Sequence, residues 1–170
     1  MSERNPRLQA RQLIGTMRGG DDESLVLEMA RLSADRATGG RESHLIVCEL
    51  ISALAEMMLT ASGPSESAEE RVYGLELTGD DDRQLDIDQT SPPIRAAVRA
   101  LLAQLNDHTE DTLFQVDLAL REPEFKVTIE VFVHVLLWTI GMIEWCDQHG
   151  VARPQWLGDL ASTRWGGAGS

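Results

Sequence analysis

The sequence predicts a mainly α fold: a helical bundle of about six or seven helices, with one β-hairpin inserted between the third and the fourth. Three observations support this prediction. Apolar residues recur at three- and four-residue spacing along most of the chain, and glycine and proline separate these segments. Residues 73–88 alternate apolar and polar side chains instead. With 170 residues, the chain has the usual size of one domain with a sizeable core.

We expect one domain over residues 1–170. Its early helices have clear signals, because Pro6 suits a first helical turn and the glycine pairs at 19–20 and 39–40 suit helix ends. The domain has five parts: a basic N-terminal helical arm (1–20), a helical part (21–62), a linker and β-hairpin (63–90), a helical core part (91–150), and a short helix with a flexible tail (151–170).

The later helices follow the same kind of signal. A third helix should run from about Glu42 to Ala61, and residues 61–70 have the Ser, Gly and Pro content of a surface connection. A fourth helix should start after Ser91, and a fifth near Thr109. A sixth should cover the segment Glu124–His149, which is apolar on nearly every side. That profile predicts a central, buried helix.

Within residues 73–88 (YGLELTGDDDRQLDID), aspartates recur at two-residue spacing with one glutamine between them, as in a calcium loop. The series is Asp80, Asp82, Gln84, Asp86 and Asp88. A calcium loop beginning at Asp80 needs glycine at its sixth position and a bidentate glutamate at its twelfth, where this chain has Leu85 and Ser91. Pairing Leu77 with Leu85 instead gives a hairpin with an apolar face and an acidic turn. We therefore predict a hairpin and no metal site.

Two pairs of side chains are candidates for catalysis. Glu130 and His134 are four residues apart, so they would share one helix face as an acid–base pair or a carboxylate–histidine metal site. His44 and Cys48 have the same spacing and could pair a nucleophile with its base. Structural burial is favoured for both pairs, because the chain has no Glu-x-x-His motif and no third, orienting residue can be identified.

Residues 37–43 (ATGGRES) place two glycines and an arginine just before a helix, where backbone N–H groups and the helix dipole favour anions. The segment lacks the Gly-Lys-Ser/Thr of a phosphate-binding loop, and it follows a helix and not a strand. We therefore expect a helix-to-helix turn.

Charge and composition limit the partners. The formal net charge of −13 argues against nucleic acid or an anionic membrane and favours a basic protein, although four arginines lie in residues 1–18. The apolar run 131–143 is too short to span a bilayer, and the N-terminus lacks the apolar core of a signal peptide. The two cysteines form no disulfide framework or metal-ligand pair by spacing, which suggests a reducing compartment. We expect a cytoplasmic protein without a cofactor.

The candidate partner-binding residues are acidic and aromatic. All four tryptophans lie in the last 33 residues, and tryptophan is enriched at protein interfaces. Trp156 and Trp165 fall where burial within a bundle is not guaranteed, and an acidic turn would project from the hairpin. The predicted surfaces are therefore Trp156, Trp165, Asp80, Asp81 and Asp82.

The other two tryptophans belong to the sixth helix. Trp138 and Trp145 are seven residues apart on one face with Gly141 between them, which fits ordinary core packing and a homodimer seam equally well. Taken together, the sequence favours a non-enzymatic adaptor, regulatory or assembly factor that acts by protein–protein contact. The alternative is a small metal-dependent or hydrolytic enzyme with a site inside the helical bundle.

Overall fold

The computed structural model describes residues 5–62, 77–78, 84–85, 91–122 and 124–157. This part of the chain is mainly helical, as the sequence predicts. Its six helices are α1 (Pro6–Arg18), α2 (Asp22–Ala37), α3 (Glu42–Ser62), α4 (Pro92–Leu105), α5 (Thr109–Ala119) and α6 (Phe125–His149). A 3₁₀ turn, Gln155–Leu157, follows them where the sequence predicts a short helix.

Local capping explains why the helix bounds agree closely with the predicted ones. The side chain of Asn5 accepts a hydrogen bond from the amide of Arg7 at the start of α1. Asp21 does the same for the amide of Ser24 at the start of α2. Gly150 ends α6 in the left-handed conformation, at a φ of 66°, which only glycine adopts without a steric penalty.

The central position belongs to α3, which packs against all five other helices. The sequence assigns that position to α6, and this assignment is wrong: α6 packs against α1, α2, α3 and α4 and leaves one side exposed. Three glutamates along α3 (Glu42, Glu49 and Glu56) make it less uniformly apolar than the middle of α6, so composition alone points to the wrong helix. The largest fully buried side chains are Phe132, Ile14, Met29, Leu32, Ile46, Leu50, Ile51, Met57, Leu101, Leu136, Ile143 and Leu157.

Two short strands lie between α3 and α4. They are β1 (Leu77–Thr78) and β2 (Gln84–Leu85), and they pair antiparallel with Leu77 opposite Leu85. The other residues of the predicted hairpin, including its acidic turn, lie outside the described part of the chain. The hairpin over 73–88 therefore stays a prediction.

Helices α3 and α6 are each long and apolar enough to cross a bilayer, judged by length and composition only. The 13-residue run that the sequence counts as too short lies within the 25 residues of α6. A core helix of a soluble protein meets the same criterion, and α3 and α6 pack against each other through buried side chains.

Candidate interaction surface

One side of α6 is turned away from the core. Its opposite side buries residues such as Val131, Phe132 and Val135. On the outward side, Leu137 is 54% exposed and Trp145 is 37% exposed. We call this side the outward face of α6; it comprises His134, Leu137, Trp138, Gly141, Trp145 and Gln148. His134 and Trp138, at its margin, are half-buried, and Trp138 packs partly against the core.

The outward face has almost no charge. No Asp, Glu, Lys or Arg occurs from Val131 to Ile143, although a quarter of the whole chain is charged. Glu144 is the exposed acid nearest its centre. A Cβ atom placed on Gly141 would meet nothing within 4 Å, so this position opens directly to the outside. The absence of a side chain there lets another backbone approach closely.

The first predicted catalytic pair lies at the start of this face. The Glu130 carboxylate accepts a hydrogen bond from the Ser91 hydroxyl, which ties α6 to the first residue before α4. His134 Nδ1 lies 2.7 Å from the main-chain carbonyl oxygen of Glu130. Because a carbonyl oxygen only accepts, Nδ1 carries the proton and Nε2 is the nitrogen directed elsewhere. The two side chains thus have separate partners, which is the structural arrangement that the sequence favours.

The aromatic rings of the outward face are held in place by their neighbours. The His134 ring meets the Trp138 ring edge-on, with 6.2 Å between centroids. The His149 ring stacks on Trp145 at 4.0 Å, and its Nδ1 lies 2.8 Å from the Trp145 carbonyl oxygen. Rings that are already ordered lose little conformational entropy on binding. This arrangement therefore suits a contact surface.

The second predicted catalytic pair gains a third residue from α5. Asp117 Oδ1 lies 3.4 Å from His44 Nε2 and 3.2 Å from an Arg41 guanidinium nitrogen. No sequence motif connects Asp117 with His44. Burial, together with the positive charge of Arg41, lowers the pKa of His44, while Asp117 opposes that shift. The imidazole is therefore neutral near pH 7.

The thiol of Cys48 is not activated in this setting. Burial, reinforced by the negative charges of Asp117 and Glu49, raises its pKa to about 11. A nucleophilic cysteine needs the opposite shift, because the thiolate is the reactive form. The group around His44 and Cys48 thus has the residue types of a catalytic site without the electrostatics of one.

This conclusion predicts slow alkylation of Cys48. At pH 7.5, iodoacetamide should modify native Cys48 about a hundredfold more slowly than in the urea-unfolded chain, because a pKa higher by about two units reduces the thiolate fraction by that factor. Mass spectrometry of the Cys48 peptide distinguishes it from Cys146. The rate should continue to rise with pH up to about 11, the pKa of Cys48. Rapid labelling at neutral pH would instead support a nucleophilic role.

A backbone N–H group at the turn between α2 and α3 is already paired with a carboxylate of the chain itself. The Asp35 carboxylate accepts a hydrogen bond from the Glu42 amide, at 3.2 Å, and so caps the start of α3. Gly39 has a φ of 87°, and a Cβ on Gly40 would lie 2.1 Å from Asp35 Oδ1. The two glycines therefore let the chain fold tightly around this carboxylate. This is the helix-to-helix turn that the sequence predicts.

Trp156 packs against the N-terminal helix. The Arg7 guanidinium lies 5.6 Å from the centre of its ring, a cation–π contact, and Arg7 Nε donates to Glu49 at 2.9 Å. Trp156 is half-buried and lines a cleft of about 830 Å³ together with Glu56 and Asp107. The basic arm thus docks on the acidic body here. Trp165 and the acidic turn lie outside the described residues, so their roles stay predictions.

Among the residues that the structure describes, no group of three or more His, Cys, Asp or Glu side chains could hold a metal ion. Comparison of the chain with protein-family models, curated proteins and solved structures finds no match. Function must therefore be inferred from the surface itself.

Proposed function

We propose that this chain is a non-enzymatic interaction protein, an adaptor, regulatory or assembly factor, that binds another protein through the outward face of α6. The observation that carries the proposal is that α6 is apolar on nearly every side although one of its sides is exposed. An all-round apolar helix is normally enclosed on every side. Here Leu137 and Trp145 are exposed on a nearly uncharged strip.

The chemistry of the strip supports a protein partner. Leucine and tryptophan supply the apolar contact area of interface centres, and tryptophan is enriched among the residues that dominate binding energy. Exposed apolar patches on a protein surface commonly mark contact sites, and Leu137 and Trp145 lie on a strip with almost no charge in a chain whose net charge is −13.

The proposal extends to the setting of the protein. We place it in the cytoplasm, supported by its free cysteines, Cys48 and Cys146, which suit a reducing compartment. We also infer that its helices form a closed bundle around α3 and that the paired strands are the ends of a longer hairpin. Packing of α3 against every other helix supports the first inference, and the pairing of Leu77 with Leu85 supports the second.

The enzyme alternative has less support. Its two residue pairs are Glu130 with His134 and His44 with Cys48. The first pair has separate hydrogen-bond partners, and the thiol of the second is held in its protonated form. The slow alkylation of Cys48 predicted above is the test that bears on this alternative.

Site-specific photo-crosslinking tests the proposed surface. Leu137 is replaced by p-benzoylphenylalanine, and the purified full chain is illuminated in extract of the cell that produces it. The matched control carries the same group in place of Phe114, an exposed aromatic residue on α5. We expect a discrete cross-linked protein from position 137 and much weaker products from position 114.

The cross-linked products from positions 137 and 114 are compared to locate the binding surface. Products from position 114 alone would move the binding surface to α5. A lack of discrete products from position 137, with the helical circular dichroism of the variant unchanged, would contradict the proposal.

A further inference from the structure

We propose that the partner of the outward face is a second copy of this chain, bound with α6 antiparallel to its mate about a two-fold axis at Gly141. This inference rests on the proposed function and names the partner of the same surface. It starts from the spacing of side chains on either side of Gly141. Two-fold dimers need a patch that is complementary to itself.

The first complementary pair is apolar. An α-helix turns about 100° and rises about 1.5 Å per residue, so Leu137 and Trp145 lie about 6 Å on either side of Gly141 and about 40° to opposite sides of it. A two-fold axis that lies between two antiparallel helices at the level of Gly141 reverses each residue's position along the helix and keeps it on the same side of the contact. It therefore places the partner's Leu137 beside Trp145, and does so twice in the dimer. Both side chains are exposed and would be covered.

The second pair lies at the edges of the contact. Trp138 and Glu144 are three residues before and after Gly141 and about 60° to opposite sides of it. The axis keeps each residue on its own side, so the partner's Glu144 lies at the edge opposite Trp138. Glu144, which is exposed, therefore stays at the solvated rim and its charge is not buried.

The third pair lies at the two ends of the contact. His134 and Gln148 are seven residues before and after Gly141, which brings the partner's Gln148 to His134. His134 Nδ1 contacts the Glu130 carbonyl oxygen, which leaves Nε2 for a partner's side chain. A side-chain amide has an N–H donor and a carbonyl acceptor, so it can hydrogen-bond this nitrogen.

Charge and shape at the axis favour the same arrangement. Each copy carries a net charge of −13, so two copies repel each other over most of their surface. The outward face avoids this repulsion because no Asp, Glu, Lys or Arg lies between Val131 and Ile143. At the axis itself, Gly141 has no side chain and opens to empty space, so the two helices can approach closely.

A charge-swap experiment tests the antiparallel pairing. The variants are Leu137→Glu and Trp145→Lys, each in the full chain, and native mass spectrometry measures association. We expect a wild-type dimer, and each variant alone should dissociate with Kd raised about thirtyfold or more. An equimolar mixture should form a heterodimer, since one Glu–Lys pair and one native Leu–Trp pair then face each other. Leu27→Glu, at an exposed position on α2, is the control and should remain dimeric.

Each outcome supports or overturns the inference. Folded variants that remain monomeric when mixed would overturn the antiparallel geometry, because a parallel contact does not bring position 137 to position 145. A monomeric wild type that still cross-links from position 137 to another protein overturns the second copy and leaves the proposed function standing. A monomer that instead co-floats with phosphatidylcholine vesicles would assign the face to lipid, and absence of any cross-link from position 137 would remove both proposals.

Discussion

Replacing Phe132 with alanine is expected to lower the free energy of unfolding by about 3–5 kcal/mol, the usual cost of truncating a buried phenylalanine. Phe132 is 0% exposed and lies on the side of α6 that faces the core. Its removal leaves a cavity between packed helices that can collapse only partly. Urea unfolding followed by far-UV circular dichroism measures the loss.

Phe114→Ala is the matched control for that experiment. The substitution is chemically identical, but Phe114 is 57% exposed on α5. Its effect should stay within about 0.5 kcal/mol, as for most surface changes. Comparable losses at the two positions would contradict the packing of α6 described above, because they would mean that Phe132 is no more buried than Phe114.

The second large effect is expected from Arg36→Met, which should cost about 2–3 kcal/mol of stability. Arg36 is only 8% exposed, and its guanidinium donates to the Thr128 hydroxyl and to the carbonyl oxygen of Glu122. These contacts connect α2 to the beginning of α6. Burial lowers the pKa of this arginine. Methionine keeps much of the apolar stem but leaves both acceptors without their donor.

Burying the charge of Arg36 opposes folding, whereas its hydrogen bonds favour folding. The sign of the stability change therefore shows which contribution is larger. Desolvation of an arginine can cancel what its hydrogen bonds contribute. Thermal and urea unfolding of Arg36→Met should show a loss, whereas Arg99→Met, at an exposed position on α4, should be nearly neutral. An Arg36→Met variant as stable as the wild type would show that the two hydrogen bonds only offset the cost of burial.

The helices could be predicted because the signals that bound them are local. Pro6, Asp21, the glycine pairs and Gly150 each act within one helical turn, so the sequence places the helix ends within about two residues. The spatial order of the helices depends on which apolar faces meet. The sequence makes the middle of α6 more uniformly apolar than α3, because α3 carries three glutamates along its length, and only packing shows that α3 takes the centre.

The candidate surface was predictable only in part. The sequence identifies Trp138, Gly141 and Trp145 as one helix face but gives core packing and a homodimer seam equal standing. In the structure Trp138 packs partly against the core, whereas Trp145 is 37% exposed, so the two tryptophans do not share one environment. Asp117 was missed because its contact with His44 joins α5 to α3 across a long separation in sequence. The available signal was a single acid within the apolar segment Val116–Leu120.

The central claim, that the outward face of α6 binds a second copy, is tested most directly by sedimentation equilibrium of the unmodified full chain over a wide concentration range. The polypeptide mass is 18.8 kDa. We predict a reversible change from this mass to twice its value as concentration rises, and Gly141→Leu should suppress it because the added side chain occupies the axis. A mass of one chain at every concentration would contradict the account.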